Sequence, residues 1–359
     1  MLIHSFSIHE VARNSLAGDK PAFTTPHRDL EGILKKYSLT ISNHKKLVVP
    51  DEDRVIAFLH IGKTGGSTIS VNIRRGCHEC CMKPCSKRTD GWTVNETIAS
   101  QRIQSYYHME NIPQDKLEQI TTIVTTVRHP ISRFISAFAY EHPINYRATK
   151  LTHSRESWEK FSCFPNLSYL VKAAMGRPDI QWNKAHMNAL YHKNVQEIID
   201  PINCTELALS AFGMNETSPE EIQNSIVNGL HPFINHMTLD YRQYYQSMPP
   251  EKELLVLRKE HLWRDWKHLN EILGRSEHRY DNWPAVPRFQ RVERNVSHYY
   301  RKDRWIPHDK AALCQLLHNE IRTYLMIIER AVNLNEDDLI DAIADVDRTC
   351  SMETMSSKL

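Results

Sequence analysis

Apolar residues gather in three short runs and recur at helical spacing in one long segment. Val55–Ile61 (VIAFLHI) and Ile120–Val127 (ITTIVTTV) are rich in strand-forming residues, which predicts strands buried on both faces. Leu254–Leu257 predicts a third strand. A turn and a helix follow each run: Ser67–Arg75 after the first, Ile131–Tyr140 after the second, and a helix through Leu273 after the third. Such strand–turn–helix units imply an α/β fold, with a parallel sheet covered by helices. Leu313, Leu317, Ile321, Tyr324, Ile328 and Ala331 share one face of a helix predicted over Asp309–Val332, as core packing requires. The acidic stretch Asn335–Asp347 predicts a short solvated helix.

The same pattern divides the chain. Residues 1–50 are polar, lack periodicity and carry Pro21, Pro26 and Pro50, so they are expected to form an arm or stem. The compact domain is expected over 51–334, with helical and irregular structure between 145 and 250. Residues 335–359 form an acidic tail whose end should fray. No run of apolar residues is long enough to span a membrane. His4, His9, Glu10 and Arg13 break the first segment, which makes neither a signal peptide nor an anchor. Two possibilities stay open, a soluble cytosolic protein and a targeting segment upstream of Met1.

Charge and cysteine narrow the picture. The 45 basic and 43 acidic residues leave a net charge of +2, which argues against a nucleic-acid binder relying on broad phosphate neutralisation. A local pocket for a small anion remains compatible with that balance. Five N-x-[ST] sequons, at Asn95, Asn166, Asn203, Asn215 and Asn295, point towards a secretory-pathway lumen. Cys77, Cys80, Cys81 and Cys85 crowd one string, CHECCMKPC. With His78 they could ligate zinc, or they could form disulfides or stay free thiols; the sequons favour the second group, and no metal is expected.

The most informative string is His60–Thr68, HIGKTGGST, between a predicted strand and a helix. An anion site needs flexible backbone that can aim N–H groups, a cation and a helix N-terminus. Gly65 and Gly66 supply the first, Lys63 the second and the helix beginning near Ser67 the third, while Thr64, Ser67 and Thr68 add hydroxyls. A nucleoside-triphosphate P-loop would need a further glycine, which falls here at Ala57 in mid-strand. No obvious Walker B acid is present either. Both points count against a nucleotide-dependent phosphotransferase.

The second string is Arg128–Ser136, RHPISRFIS, again opening a helix after a strand. Arg128 stands at the strand's C-terminal end, where open α/β sheets bind ligands. Ser136 lies two turns on, near the face of Arg128's turn. Two anion sites on neighbouring strand ends suit a ligand with two separated phosphates; a structural ion pair is the alternative role for Arg128.

Together the two strings resemble the 5′- and 3′-phosphate motifs of Golgi carbohydrate sulfotransferases, nearest to the heparan sulfate 6-O-sulfotransferases and related algal sulfotransferase-domain proteins. That group's H-I-x-K-T-G-G-[ST]-T is matched by His60–Thr68. Its R-D-P-x-x-R-x-x-S is matched by Arg128–Ser136, except that His129 replaces Asp. The change is expected to alter local hydrogen bonding and not phosphate contact. Leu254–Trp266 and Glu329–Leu334 resemble the group's late strand and closing helix, so the resemblance covers Arg54–Leu334.

The resemblance implies a three-layer α/β/α domain with a central parallel sheet, related in shape to nucleotide kinases. It implies 3′-phosphoadenosine-5′-phosphosulfate as co-substrate and a glycan hydroxyl as acceptor. Lys63, Thr64, Gly65, Gly66, Ser67 and Thr68 would hold the 5′-phosphosulfate, and Arg128 and Ser136 the 3′-phosphate. Lys63 would also stabilise charge on the leaving phosphate. His108, in SYYHMEN, would be the base, with His60 beside the loop as structural rival. Trp182, Asn183 and His186 are weaker candidates for lining an acceptor cleft. A non-catalytic anion- or glycan-binding module is a further alternative. The Golgi lumen is the expected location, with the cytoplasm as alternative. Any membrane association would come only through an anchor not present in this chain.

Overall fold

The computed structural model describes residues 35, 37, 48–50, 53–66, 69, 103–107, 112–141, 163–164, 166–176, 204–213, 236–237, 241–246, 248–273 and 307–351. Among the described residues four parallel strands make the sheet: β1 (Ile56–His60), β2 (Ile103–Tyr107), β3 (Thr122–Val127) and β4 (Glu253–Arg258), in the order β2-β1-β3-β4. β1, β3 and β4 lie where the apolar runs predict them, and all three are buried along their whole length. No apolar run marks β2. Its sequence, IQSYY, mixes polar and aromatic residues, because among the described residues this strand lies at the sheet's edge, paired with β1.

The helices are α1 (Gln114–Gln119), α2 (Pro130–Glu141), α3 (Leu167–Ala174), α4 (Cys204–Ala211), α5 (Tyr241–Gln246), α6 (Leu262–Leu273), α7 (Pro307–Leu316), α8 (His318–Arg330) and α9 (Glu336–Cys350). Alternate strand residues serve opposite faces of the sheet. Ala57, Leu59, Ile123, Val127, Leu254 and Val256 enter the larger core, shared with α2, α3, α5, α8 and α9. Ile56, Phe58, Val124, Leu255 and Leu257 enter a smaller core closed by Trp266, Leu269 and Leu273 of α6. Helices therefore cover both faces, as an α/β fold requires.

Three expectations need adjustment. The helix expected over Asp309–Val332 is two helices, α7 and α8, meeting at Leu317. The apolar face nevertheless runs through the joint, because Leu317 N–H donates to Leu313 O at 2.9 Å and Leu317 O accepts from Ile321 N–H at 2.8 Å. The acidic segment is not a solvated helix. Leu339, Ile343 and Val346 recur at helical spacing and are buried in the larger core, and Cys350 is bonded to Cys314 of α7. Its acidic residues concentrate in the first turn, where Asn335 and Asp338 form a reciprocal cap, so composition hides an apolar face. Finally, Tyr37 of the expected arm is buried in the larger core and stacks on His318 at 5.6 Å.

The open edge of β4 is covered by the segment after α8. Val332 N–H donates to Leu254 O at 2.8 Å, and the Asn333 amide both donates to Val256 O and accepts from Val256 N–H at 2.8 Å. That arrangement satisfies groups which an exposed edge would leave open to another chain.

At the opposite end of the sheet from the candidate loops, Arg54 grips Glu253 with two hydrogen bonds of 2.9 and 3.0 Å. Thr122 Oγ1 donates to the same carboxylate at 2.7 Å and Val49 N–H at 3.1 Å. Both charges are buried, so Glu253→Ala would strand Arg54 and is expected to cost about 3–5 kcal/mol in urea denaturation. A loss below ~1 kcal/mol, the usual worth of an exposed pair, would show that the contact is not the brace proposed here.

Candidate functional site

The chain leaves β1 through Ile61, Gly62, Lys63, Thr64, Gly65 and Gly66, and leaves β3 through Arg128 and His129. In the order β2-β1-β3-β4, the connection after β1 departs to one side and that after β3 to the other. Adjacent strands whose connections part in this way leave a crevice at their C-terminal ends, the usual ligand position in open α/β sheets. Lys63 and Arg128 both stand there.

The loop after β1 has a particular backbone. Of the residues from Gly62 to Gly66, Lys63 has φ 64° and Gly65 has φ 93°, while the others do not have positive φ. Alternating handedness turns successive peptide N–H groups towards one concavity, which attracts anions. Gly65 adopts its conformation readily; Lys63 is held there at a cost of about 1 kcal/mol or more. Gly66 is required for a different reason. A Cβ at this position would lie 2.1 Å from Cδ2 of His60. The His60 ring, 4% exposed, fills that space and fits the structural role expected of it.

Hydroxyl groups lock the loop to the sheet. Thr64 Oγ1 donates to Ile61 O at 2.7 Å and lies 2.6 Å from Thr126 Oγ1 of β3. Since the Thr64 proton is engaged, the proton between the two hydroxyls comes from Thr126. Thr64 is fully buried, so its hydroxyl serves as a latch between the β1 loop and β3. Arg128 Nη1 donates to Lys63 O at 3.4 Å, which joins the two loops a second time. Ala57, the place a nucleoside-triphosphate loop would need glycine, is a buried residue of β1.

The loop after β3 is braced by residues that, Arg133 of the second string apart, no sequence motif marks. The Tyr241 hydroxyl of α5 accepts from Arg128 N–H at 2.7 Å and donates to Arg128 O at 2.6 Å. Burial raises the Tyr241 pKa well above its ordinary value, so the phenol keeps the proton it donates. Beneath it, the Arg133 guanidinium of α2 sits 5.4 Å from the Tyr241 ring centre and pairs with Glu320 of α8. Arg133 also donates to His236 O at 2.8 Å, and the Glu141 carboxylate accepts from His236 N–H at 2.8 Å. Burial, with Lys63 and then Arg133 nearby, pushes the His236 imidazole down to about 3, so it is neutral around pH 7. These contacts span about a hundred residues of sequence, and YRQYYQ carries no local sign of them.

His129 turns away from the crevice. Its N–H donates to Glu260 Oε1 at 3.1 Å, and its buried ring lies near Tyr324 with Nε2 3.9 Å from Asp345 of α9. Burial foremost, with Arg128 and Arg348, holds its imidazole below the usual histidine range despite Asp345. The expected change is in local hydrogen bonding; in the structure the His129 ring packs beside Tyr324 and Asp345. Ser136 is half-buried in α2. Ser67, Thr68, His108, Trp182, Asn183, His186 and the Cys77–Cys85 cluster lie outside the described residues.

Residues 46–206 match the family model described as the sulfotransferase family. The match spans both loops and the strands that carry them, and ends before Tyr241 and β4. It supports a sulfotransferase enzyme. No curated protein and no solved structure matches the chain.

Tyr241→Phe would leave the Arg128 N–H and C=O without their buried partner and is expected to cost about 1–3 kcal/mol of stability. Amide exchange at Arg128 should accelerate along with it. Unchanged stability and unchanged exchange at Arg128 would show that the phenol does not hold this loop.

Proposed function

We propose that the enzyme moves a sulfuryl group from 3′-phosphoadenosine-5′-phosphosulfate to a hydroxyl on a glycan. The observation that carries the proposal is the anion cradle of alternating handedness at Lys63 and Gly65, joined to Arg128 across the β1/β3 crevice. A donor with phosphates at both ends of its ribose suits two neighbouring cationic loops. The sulfotransferase-family match over the same loops supports that choice over other anions. The three-layer, nucleotide-kinase-like architecture implied by the motifs accords with helices on both faces of the sheet.

In this account the acceptor oxygen attacks sulfur in line with the bond to the 5′-phosphate. That sulfur–oxygen bond breaks, and its electron pair leaves on the phosphate oxygen of adenosine 3′,5′-bisphosphate. Lys63 and the N–H groups of the Gly65–Gly66 turn stabilise the charge that develops there, and Ser67 and Thr68 add donors. Arg128, with Ser136, holds the 3′-phosphate. The acceptor proton passes to a base, for which His108 is the proposed residue. His108 is the next residue in sequence after Tyr107, the β2 residue that pairs with His60.

The proposed location is the Golgi lumen. Cys163–Cys204 and Cys314–Cys350 are disulfides, which persist in oxidising compartments. The exposed sequon residue Asn166 accords with glycosylation there. Among the described residues no helix is long and apolar enough to cross a membrane.

Calorimetry with adenosine 3′,5′-bisphosphate, with ATP as control, tests the donor assignment. Wild type should bind the bisphosphate clearly and ATP weakly, and Lys63→Ala should lose about tenfold or more in affinity, as removal of a charged hydrogen bond implies. Preference for ATP, or no binding of either nucleotide, would contradict it.

A further inference from the structure

β4 ends on Arg258 and the turn after it opens on Lys259, two consecutive basic residues. Arg258 is buried, and its guanidinium is fully engaged: Nε and Nη2 grip the two oxygens of Asp265 at 2.8 and 2.7 Å, and Nη2 also reaches Asp338 of α9 at 2.8 Å. Two carboxylates hold this cation in the frame. Lys259, the next residue, points another way. A Cβ built on Gly65 would lie 3.5 Å from Lys259 Cγ and 3.7 Å from its Cδ. The lysine stem therefore crosses from β4, past the end of β3, and lies along the glycine of the anion cradle. Only Cε separates Cδ from the ammonium, so the charge is carried within reach of the cradle. The same turn contributes Glu260, which accepts the His129 N–H at 3.1 Å and fixes the turn against the loop after β3. One short segment thus touches both anion loops, from a strand outside the family-matched residues.

We infer that Lys259 is a third cation of the crevice, contacting the 5′ group of the nucleotide over Gly65. The inference rests on the donor assignment above and adds a ligand contact that neither motif contains. Lys63 and Lys259 would flank the 5′ group, while Arg128 serves the 3′-phosphate. Glycine at 65 is required by its left-handed backbone, since a Cβ there would make only ordinary contact with the Lys259 stem.

The test separates charge from packing and the 5′ end from the 3′ end. Lys259→Met keeps the stem over Gly65 and removes the ammonium; Lys259→Arg keeps a cation. Binding of adenosine 3′,5′-bisphosphate, adenosine 5′-monophosphate and adenosine 3′-monophosphate is measured by calorimetry on wild type and both variants, with thermal unfolding as the control for folding. Lys259→Met should weaken the bisphosphate and the 5′-monophosphate about tenfold or more and leave the 3′-monophosphate within about twofold, and Lys259→Arg should restore most of the loss. If Lys259→Met binds all three as wild type does while Lys63→Ala loses the bisphosphate, Lys259 is a packing residue and the donor assignment stands without it. An equal loss for all three ligands would also overturn the 5′ contact. Failure of wild type to bind any of them would remove the donor assignment and this inference together.

Discussion

The chain leaves β1 towards β2 and leaves β3 towards β4, so between these adjacent strands the two connections part in opposite directions. A crevice must open there, and parallel strands aim both connections to the same edge of the sheet. Hydrogen bonding then decides how that crevice is lined. The Thr64–Thr126 latch and the Arg128–Lys63 contact tie two loops together that topology alone would let separate. With the latch closed, the β1 loop holds left-handed backbone at a lysine, a conformation L-residues avoid unless their surroundings impose it.

Behind the crevice the larger core carries charge. Arg133 and Glu320 are both nearly inaccessible, and the arginine links α2, α8, the Tyr241 ring and the His236 carbonyl. Such a pair adds little net stability, because desolvation offsets most of the attraction, but removing one partner is costly. Its consequence here is positional. Tyr241 lies between the buried arginine and the Arg128 backbone, so α5 and α8 set where the second loop sits. On the other side, in the turn after β4, Glu260 holds the second loop and the Lys259 stem lies along Gly65 of the first. The site is built by five elements, the two loops with α5, α8 and the turn after β4, of which the two motifs account for two.

Much of the fold was legible because buried parallel strands leave apolar runs that no other element requires. The β1 loop was legible because its glycines, lysine and hydroxyls each answer a local need of an anion-binding turn. β2 was not, since a strand with one neighbour needs no apolar run, and α9 was misread because its capping acids outweigh its buried face in composition. Tyr241, Glu320 and Lys259 were invisible for a common reason. Each acts on a loop distant in sequence, and nothing in YRQYYQ or RKEH says which loop that is. Thr64 shows the opposite limit: the motif marked the residue, but the structure gives its hydroxyl to Thr126 and Ile61.

The central claim is that one crevice holds two phosphates on two different loops. Phosphorus NMR of bound adenosine 3′,5′-bisphosphate tests it most directly, since the ligand's two phosphates report separately. Both resonances should shift on wild-type protein. At saturating ligand, Lys63→Ala should abolish the shift at the 5′ position and spare the 3′ one, and Arg128→Ala should do the reverse. Equal effects of both variants on both resonances, or no shift at either on the wild type, would contradict the account.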